Sequence, residues 1–310
     1  MGEKIISICI PTYNRGYVLE NTLEKLVKER AFLTREVEIC VSDNASTDNT
    51  GEVVKRFADL YGNIIYHRNE INTGTIDGNF PIVAGLGSGA FIKFLNDYAF
   101  FQPGELDNIL ELVKKNKHTK RLLFFPNGRL ESDKSNLIEI ESLEQFVSKA
   151  SYWVTWVLAA GFWREDLENI NDRDRSVSKF MWCPDNYFRL LDTGRKALIY
   201  NSEFAKLQGL KSKGGYNIFY TFGINYLSMY QPYLIEGKIT DKTYKKEKYR
   251  LFRHYLLPLY NQHVFNHDEK SFFQVSDAYK NLMVNYRFEP YFYIGLFFQK
   301  IKTKIKKLIK

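Results

Sequence analysis

The chain opens on an apolar, β-branched run, Ile5–Ile10, that stops abruptly at Pro11-Thr12-Tyr13-Asn14. A continuous apolar run bounded by turn residues predicts a strand buried on both faces. Over Tyr17–Arg30 the spacing changes: Val18, Leu19, Leu23, Leu26 and Val27 recur at helical intervals. A second strand run, Val37–Ser42, ends in Asp43-Asn44-Ala45-Ser46-Thr47-Asp48. Val53, Val54, Phe57 and Leu60 then mark a helix over Thr50–Tyr61, which Thr47 or Asp48 can cap. The alternation continues with a strand at Ile64–His67, a turn at Asn72-Thr73-Gly74 and a helix over Ile76–Gly85. A strand at Phe91–Leu95 ends in Asn96-Asp97-Tyr98, Pro103-Gly104 opens a helix over Glu105–Lys115, and Leu122–Pro126 is a further strand.

Strands alternating with helices predict an α/β fold with a mostly parallel sheet. Such sheets bind ligands beyond the carboxyl ends of their strands. Two neighbouring strands that end in short polar side chains therefore point to a nucleotide pocket. After residue 126 the pattern loosens. Leu143–Ser151 reads as a helix, Trp153–Trp163 is apolar and aromatic, Asn186–Leu191 is a short helix and Ala197–Tyr200 a strand. From Tyr216 onward the pattern is mostly helical and rich in Tyr and Phe.

Composition changes this picture little. At 310 residues, with 45% hydrophobic and 26% charged residues, the chain can bury a full core in one large domain or two small ones. Aromatic content of 16% suits carbohydrate surfaces and thick packing equally. Cys9, Cys40 and Cys183 show no metal-ligand spacing, and the first two sit inside strand runs, as expected in a reducing, cytosolic compartment. Met1-Gly2-Glu3-Lys4 leads straight into a strand without a leader pattern, and no apolar run is long enough to span a bilayer.

Four elements in order carry a resemblance: Ile8-Cys9-Ile10-Pro11-Thr12-Tyr13-Asn14-Arg15, Val41-Ser42-Asp43-Asn44-Ala45-Ser46-Thr47-Asp48, Asn72-Thr73-Gly74, and Phe94-Leu95-Asn96-Asp97-Tyr98-Ala99 followed by Pro103-Gly104. Together they resemble family-two glycosyltransferases of the GT-A fold, of the kind that builds bacterial surface polysaccharides. The resemblance is good over residues 5–126 and weaker over 127–200. It implies a nucleotide-sugar-binding half at 1–126, an acceptor and catalytic-base half at 127–215, and a helical, aromatic-rich extension at 216–310.

The resemblance also implies roles. Pro11, Thr12, Tyr13, Asn14, Arg15, Asp43, Asn44, Ser46, Asn72, Gly74, Asn96 and Asp97 would surround a nucleoside diphosphate sugar, with UDP as the first expectation. Asp43 would accept hydrogen bonds from the base or ribose, although a turn or cap role also fits it. Asp77 or Asn79 could face the sugar. The family usually places two or three aspartates after its fourth strand to hold Mg²⁺ or Mn²⁺. Here Asp97 is followed by Tyr98 and Ala99, which implies a weakened or absent metal requirement, with Arg15, Arg68 and Lys213 as alternative cations.

The implied catalytic base is Asp185, within Trp182-Cys183-Pro184-Asp185-Asn186-Tyr187, with Asp172 and Asp174 as rivals. Asp185 equally suits a helix N-terminus. Trp163 and Trp182 are the expected acceptor-side aromatics, in a set that includes Trp153 and Trp156.

The net charge is +8, and the lysines concentrate in the last third. Tyr291–Lys310 reads as an amphipathic helix, with Ile294, Phe297, Phe298, Ile301, Ile305, Leu308 and Ile309 near one face and Lys300, Lys302, Lys304, Lys306, Lys307 and Lys310 around them. That pattern suits an anionic membrane surface. Phe297, Phe298, Lys300, Lys304 and Lys307 are the expected membrane contacts.

The expectation is an inverting glycosyltransferase, peripheral on the inner face of the cytoplasmic membrane, with a glycan or polyprenyl-linked acceptor and no nucleic-acid partner. A homo-oligomer through the aromatic C-terminal region is a further expectation. Two other readings stay open: a catalytically degenerate nucleotide-sugar-binding subunit, and a membrane- or nucleic-acid-binding adaptor.

Overall fold

Apolar runs and amphipathic stripes become strands and helices in the expected order. The computed structural model describes residues 3–74, 77–131, 135–210, 214–266 and 272–309. Contacts divide the chain into two units, Met1–Gly209 and Leu210–Lys310.

In the first unit, β1 (Ile6–Thr12), α1 (Gly16–Leu26), α2 (Arg30–Leu33), β2 (Val37–Asp43), α3 (Thr50–Leu60), β3 (Ile64–Arg68), α4 (Asn79–Leu86) and β4 (Phe91–Phe94) follow one another. Then come β5 (Ala99–Phe101), α5 (Glu105–Asn116), β6 (Leu122–Phe124), β7 (Leu137–Ile140), α6 (Leu143–Ala150), β8 (Gly161–Trp163), α7 (Arg164–Asn169), α8 (Trp182–Asp192), β9 (Ala197–Tyr200) and β10 (Ala205–Leu207). Helix α4 was expected over Ile76–Gly85; it begins at Asn79, and Thr75 and Ile76 lie outside the described residues.

The main sheet has the order β3-β2-β1-β4-β8. Its first four strands run parallel and β8 runs antiparallel to β4. Every residue of β1 and β2 is buried, as double-sided packing requires. Ile6, Ile8, Ile10, Val37, Ile39 and Val41 share one core with Leu19 and Leu23 of α1 and Val54 and Phe57 of α3. Truncating Leu19 or Leu23 to Ala there costs about 2–5 kcal/mol. Strands β6, β9 and β7 form a smaller sheet, and β5 pairs with β10.

Register places the ends of the parallel strands side by side. Thr12 lies opposite Asp43, and Asp43 opposite Arg68. The turn after β1 crosses the turn after β2 so closely that a Cβ on Gly16 would meet Asn49 Oδ1 at 2.3 Å and Thr50 N at 3.0 Å. Glycine is the residue that permits this crossing.

One core residue breaks the hydrophobic pattern. Lys93 of β4 is fully buried, and its ammonium donates to the carbonyls of Phe94 (2.8 Å) and Leu158 (2.6 Å). It sits 4.8 and 5.0 Å from the ring centres of Phe125 and Phe204. Burial pushes this amine well below its ordinary pKa.

The second unit is helical apart from a short parallel pair, β11 (Gly214–Asn217) and β12 (Phe272–Gln274). Its helices are α9 (Ile218–Tyr220), α10 (Gln231–Ile235), α11 (Asp241–Leu251), α12 (Leu257–Tyr260), α13 (Ala278–Tyr286) and α14 (Pro290–Ile309). Widened π turns at Thr221–Tyr226, Phe252–Leu256 and Asn261–Phe265 interrupt them. Much of the aromatic content is core: Tyr226, Tyr230, Tyr286 and Phe292 are fully buried, and Tyr226 donates to the buried Glu247 at 2.8 Å.

Candidate active site

The rim is built from the ends of β1, β2 and β4. Asp43 ends β2 and is fully buried. Its Oδ1 accepts from the Ser46 backbone N–H at 2.8 Å, its Oδ2 accepts from the Tyr66 hydroxyl at 3.0 Å, and Arg68 Nε lies 3.8 Å from Oδ2. Burial and the Asp43 charge push the Tyr66 phenol up to about 12. Asp43 therefore performs the turn role, with a side chain that is wholly buried.

The surrounding loops are laced together. Asn14 takes a left-handed φ of 51°. Its backbone N–H donates to Ser46 Oγ at 2.9 Å and its Oδ1 accepts from Thr47 N at 2.7 Å. Asp48 accepts from the backbone N–H groups of Thr50 (3.0 Å) and Gly16 (3.2 Å), so it holds the starts of α3 and α1 together, while the N-cap position of α3 is Asn49, without a side-chain cap. Asn44 Oδ1 accepts from Thr73 N at 2.9 Å, and Asn72 Oδ1 from Gly74 N at 2.8 Å. Gly74 has φ 74°, the left-handed geometry this turn demands. Asn79 is consumed by Ser42 and Asn69 and ties α4 to β2, so it serves the fold. Tyr13, in the turn after β1, is 46% exposed.

Across the rim lies Asp97. Its Oδ2 accepts from Thr12 Oγ1 at 2.9 Å, and Arg15 Nη1 stands 3.5 Å from Oδ1. Burial raises this carboxyl to about 6, against the opposing pull of Arg15 and Thr12. Arg15 also lies 5.9 Å over the ring of Tyr98, whose phenol burial and the Asp97 charge push up to about 12. Ala99 is buried in β5. The side-chain oxygen Oδ1 of Asn96 is buried at this rim without a hydrogen-bond partner, an acceptor that a ligand hydroxyl can satisfy.

Asp185 lies in the first turn of α8, buried, and Arg175 grips it bidentately at 2.9 and 2.8 Å. Of its rivals, Asp174 accepts from the Trp182 indole N–H at 2.7 Å and from Arg173 at 3.0 Å. Burial raises the Asp174 carboxyl, but those two donors outweigh it and leave the pKa lowered. Asp172 takes a left-handed φ of 46° in the preceding loop.

Asp77, expected to face the sugar, is instead turned into the fold. It is buried, its Oδ2 accepts from the Trp182 backbone N–H at 2.9 Å, and burial raises it to about 7. A side chain from the loop after β3 thus caps α8 across the fold. Trp163 and Trp182, expected on the acceptor side, are both fully buried. Trp163 packs edge-on against Phe91 at 5.0 Å, and Trp182 against Phe94 and Phe162, each at 5.8 Å. Neither ring can face an acceptor here. Trp153 and Trp156 keep partly open faces.

With this geometry in place, the comparisons with known proteins become decisive. The sequence profile described as Glycosyl transferase family 2 matches residues 7–170. The chain belongs to that family. Among curated relatives, abequosyltransferase RfbV of Salmonella typhimurium is 43% identical over 88 residues, 28% of this chain and 26% of that protein. A GalNAc(5)-diNAcBac-PP-undecaprenol beta-1,3-glucosyltransferase of Campylobacter jejuni is 30% identical over 106 residues, 34% of this chain and 33% of that protein. The matches therefore span about a quarter to a third of those relatives. Among solved structures, S. aureus TarS 1-349 in complex with UDP superposes with a TM-score of 0.63 over 96% of this chain and 88% of that one, at 15% identity. The mannosyltransferase PcManGT of Pyrobaculum calidifontis, in complex with GDP-Man and Mn²⁺, gives 0.51 over 99% and 88%, at 14% identity. These structural likenesses establish the GT-A arrangement.

The family-2 assignment raises the question of a divalent cation. Such an ion takes six or more hard oxygens. After β4 this chain offers one carboxylate, with one oxygen held by Thr12 and the other facing a guanidinium, then a buried phenol and a methyl group. That donor set does not fit a protein-held Mg²⁺ or Mn²⁺. Of the other expected cations, Arg68 serves the Asp43 side, where it also donates to the Ser46 carbonyl at 2.9 Å, and Lys213 lies outside the described residues. A cavity of 460 Å³ lined by Arg121, Arg195 and Lys196 sits away from the rim, at the starts of β6 and β9, and each of those cations is paired, with Glu139, Asp166 and Glu141.

Proposed function

We propose that this protein is an inverting glycosyltransferase that moves a sugar from a nucleoside diphosphate donor to a lipid-linked or oligosaccharide acceptor in bacterial surface-glycan synthesis. The observation that carries this reading is the double rim: an Asp43 network suited to a nucleoside, and an Arg15–Asp97 pair suited to a diphosphate. The name of the undecaprenol-linked glucosyltransferase supports a lipid-linked acceptor, and the UDP complex of TarS makes uridine the first donor to test.

The chemistry follows from the charges. Attack at the anomeric carbon expels a nucleoside diphosphate, whose growing negative charge must be met. Arg15 meets it in this reading, with a weak metal requirement or none. Asp185 acts as the base that takes the acceptor hydroxyl proton, once the acceptor draws Arg175 aside. Asp77 is the second reading for that base, favoured by a carboxyl raised to about 7. Asp185→Asn that abolishes turnover with donor binding intact supports the first assignment; unchanged turnover removes it, and the same pair of outcomes judges Asp77→Asn.

Peripheral membrane attachment belongs to the same proposal. No helix among the described residues is long and apolar enough to cross a membrane. Helix α14 nevertheless turns Ile294, Phe297, Phe298, Ile301 and Ile305 outward, Phe297 at 61% exposure. Its other side packs within its own unit: Phe292 is buried, and Thr303 donates to Asn261 at 2.9 Å. Lys300, Lys302 and Lys304 are exposed beside the apolar stripe, whereas the side chains of Lys306, Lys307, Leu308 and Ile309, and the whole of Lys310, lie outside the described residues. Each lysine near an anionic surface contributes about 1 kcal/mol.

The test is incorporation of labelled sugar from UDP-sugars into bacterial lipid extract by the purified protein in excess chelator. Transfer supports the reading, and donor binding without transfer or hydrolysis moves it to the degenerate-subunit alternative. Deleting residues 296–310 should release the protein from phosphatidylglycerol vesicles; unchanged sedimentation removes the docking role of α14.

A further inference from the structure

Strand β8 enters the main sheet from the rim, because it runs antiparallel to β4. The residues that lead into it, two 3₁₀ turns at Ser151–Thr155 and Val157–Ala159, therefore lie beyond the end of β4, beside Asp97 and Tyr98. Phe94 N donates to Ala160 O at 3.1 Å, and buried Lys93 holds the Leu158 carbonyl at 2.6 Å. The buried Lys93 amine thus fixes these turns.

They carry an aromatic surface. Tyr152 and Trp153 lie 5.4 Å apart at 35°, and Trp153 and Trp156 lie 5.8 Å apart at 51°. All three are half-buried, and Trp156 also packs against the main core. The exposed Arg129 sits 5.9 Å over Trp153 and 6.0 Å over Trp156. Trp156 lies near the Tyr98 hydroxyl and opposes the rise that burial and Asp97 give that phenol, and Tyr98 adjoins Arg15 and Asp97.

We propose that Trp153, Trp156 and Arg129 form the platform that receives the acceptor's pyranose ring. The inference rests on the glycosyltransferase reading above. Half-buried indoles stack on the C–H face of a sugar ring once the exposed Arg129 guanidinium above them swings aside, and that guanidinium then reaches the sugar hydroxyls. The nearness of Trp156 to Tyr98 places that ring beside the Arg15–Asp97 pair. Tyr98, which takes the place of an acid in the family's metal motif, links the platform to Arg15. Trp163 and Trp182, buried in the core, leave this role to the pair nearer the rim.

The test uses saturation-transfer NMR with methyl glycosides of glucose, galactose, mannose and N-acetylglucosamine, and calorimetry with UDP as a separate arm. The native protein should saturate protons on one face of at least one glycoside. Trp153→Ala and Arg129→Ala should weaken that binding about ten-fold, the loss expected for one aromatic contact, while UDP binding stays unchanged. Trp153→Tyr should restore part of it, and serves as the test variant if Trp153→Ala does not fold. Absence of saturation in the native protein, or equal saturation in Trp153→Ala and Arg129→Ala, overturns the platform. Loss of UDP binding in the native protein overturns the donor reading instead, so the two failures are distinguishable.

Discussion

The two sides of the rim handle a buried carboxylate differently. Asp43 has a backbone N–H on one oxygen, a hydroxyl on the other and a guanidinium nearby. Asp97 has one hydroxyl and a guanidinium at the limit of contact, and its carboxyl is raised to about 6. The first is a finished network that shapes loops. The second holds a charge that burial opposes, beside a cation that a diphosphate can recruit. On the proposed reading, the difference teaches that the Asp43 side is organised before any ligand arrives, whereas the Asp97 side keeps a cation for its ligand.

Arg15 offers the sharpest way to break that comparison. On the proposed reading, replacing it with Ala removes the cation that meets the departing diphosphate and should lower kcat/KM for transfer by about 100-fold or more. A loss confined to a few-fold, measured in chelator, would assign the neutralising role elsewhere. Asp43→Ala should come next. It strips acceptors from Ser46 N–H and Tyr66 OH, and should cost about 2–3 kcal/mol of stability together with at least ten-fold in nucleotide affinity. Calorimetry and denaturant melts read the two separately, and intact nucleotide affinity would leave Asp43 as a turn residue alone.

Asp97→Asn sharpens the contrast through pH. The unfolded chain titrates this group near 3.8 and the folded one near 6. Between those values the folded state holds more protons, so stability falls as pH rises from 3.8 to about 6, and the full cost stands at neutral pH. The Asn variant should therefore be more stable than native by on the order of 2–3 kcal/mol at pH 7, with the gain gone below the unfolded pKa. A gain of equal size at both pH values would contradict the burial account. The smallest effect is expected from Tyr66→Phe, about 1 kcal/mol of stability, since Asp43 keeps its backbone donor.

Much of this architecture was legible because it is local. Strands β1 and β2 carry their burial in unbroken apolar runs, and the rim residues follow from where those runs stop. Gly74 follows from a turn that needs a positive φ. What was not legible depends on distant partners. Helix α8 was expected to begin at Asn186 but begins at Trp182, because Asp77, far away in sequence, supplies its cap and because Pro184 is tolerated in a first turn. The same distance hid Arg175 on Asp185. Lys93 reads as a polar interruption of β4, and only the fold reveals the two carbonyls that accept it. The tryptophans were visible as a set, but their composition does not say which are core. The antiparallel entry of β8 decides that, sending Trp163 inward and leaving Trp153 and Trp156 at the rim.

The central claim is a nucleotide-sugar rim whose diphosphate side relies on Arg15 rather than on a bound cation. It is tested most directly by thermal melts of the native protein with nucleoside diphosphates and their sugars, in excess chelator and again with Mn²⁺. The account predicts a rise in Tm with at least one nucleoside diphosphate in chelator and little further gain from Mn²⁺. Stabilisation that occurs only when Mn²⁺ is present would contradict it.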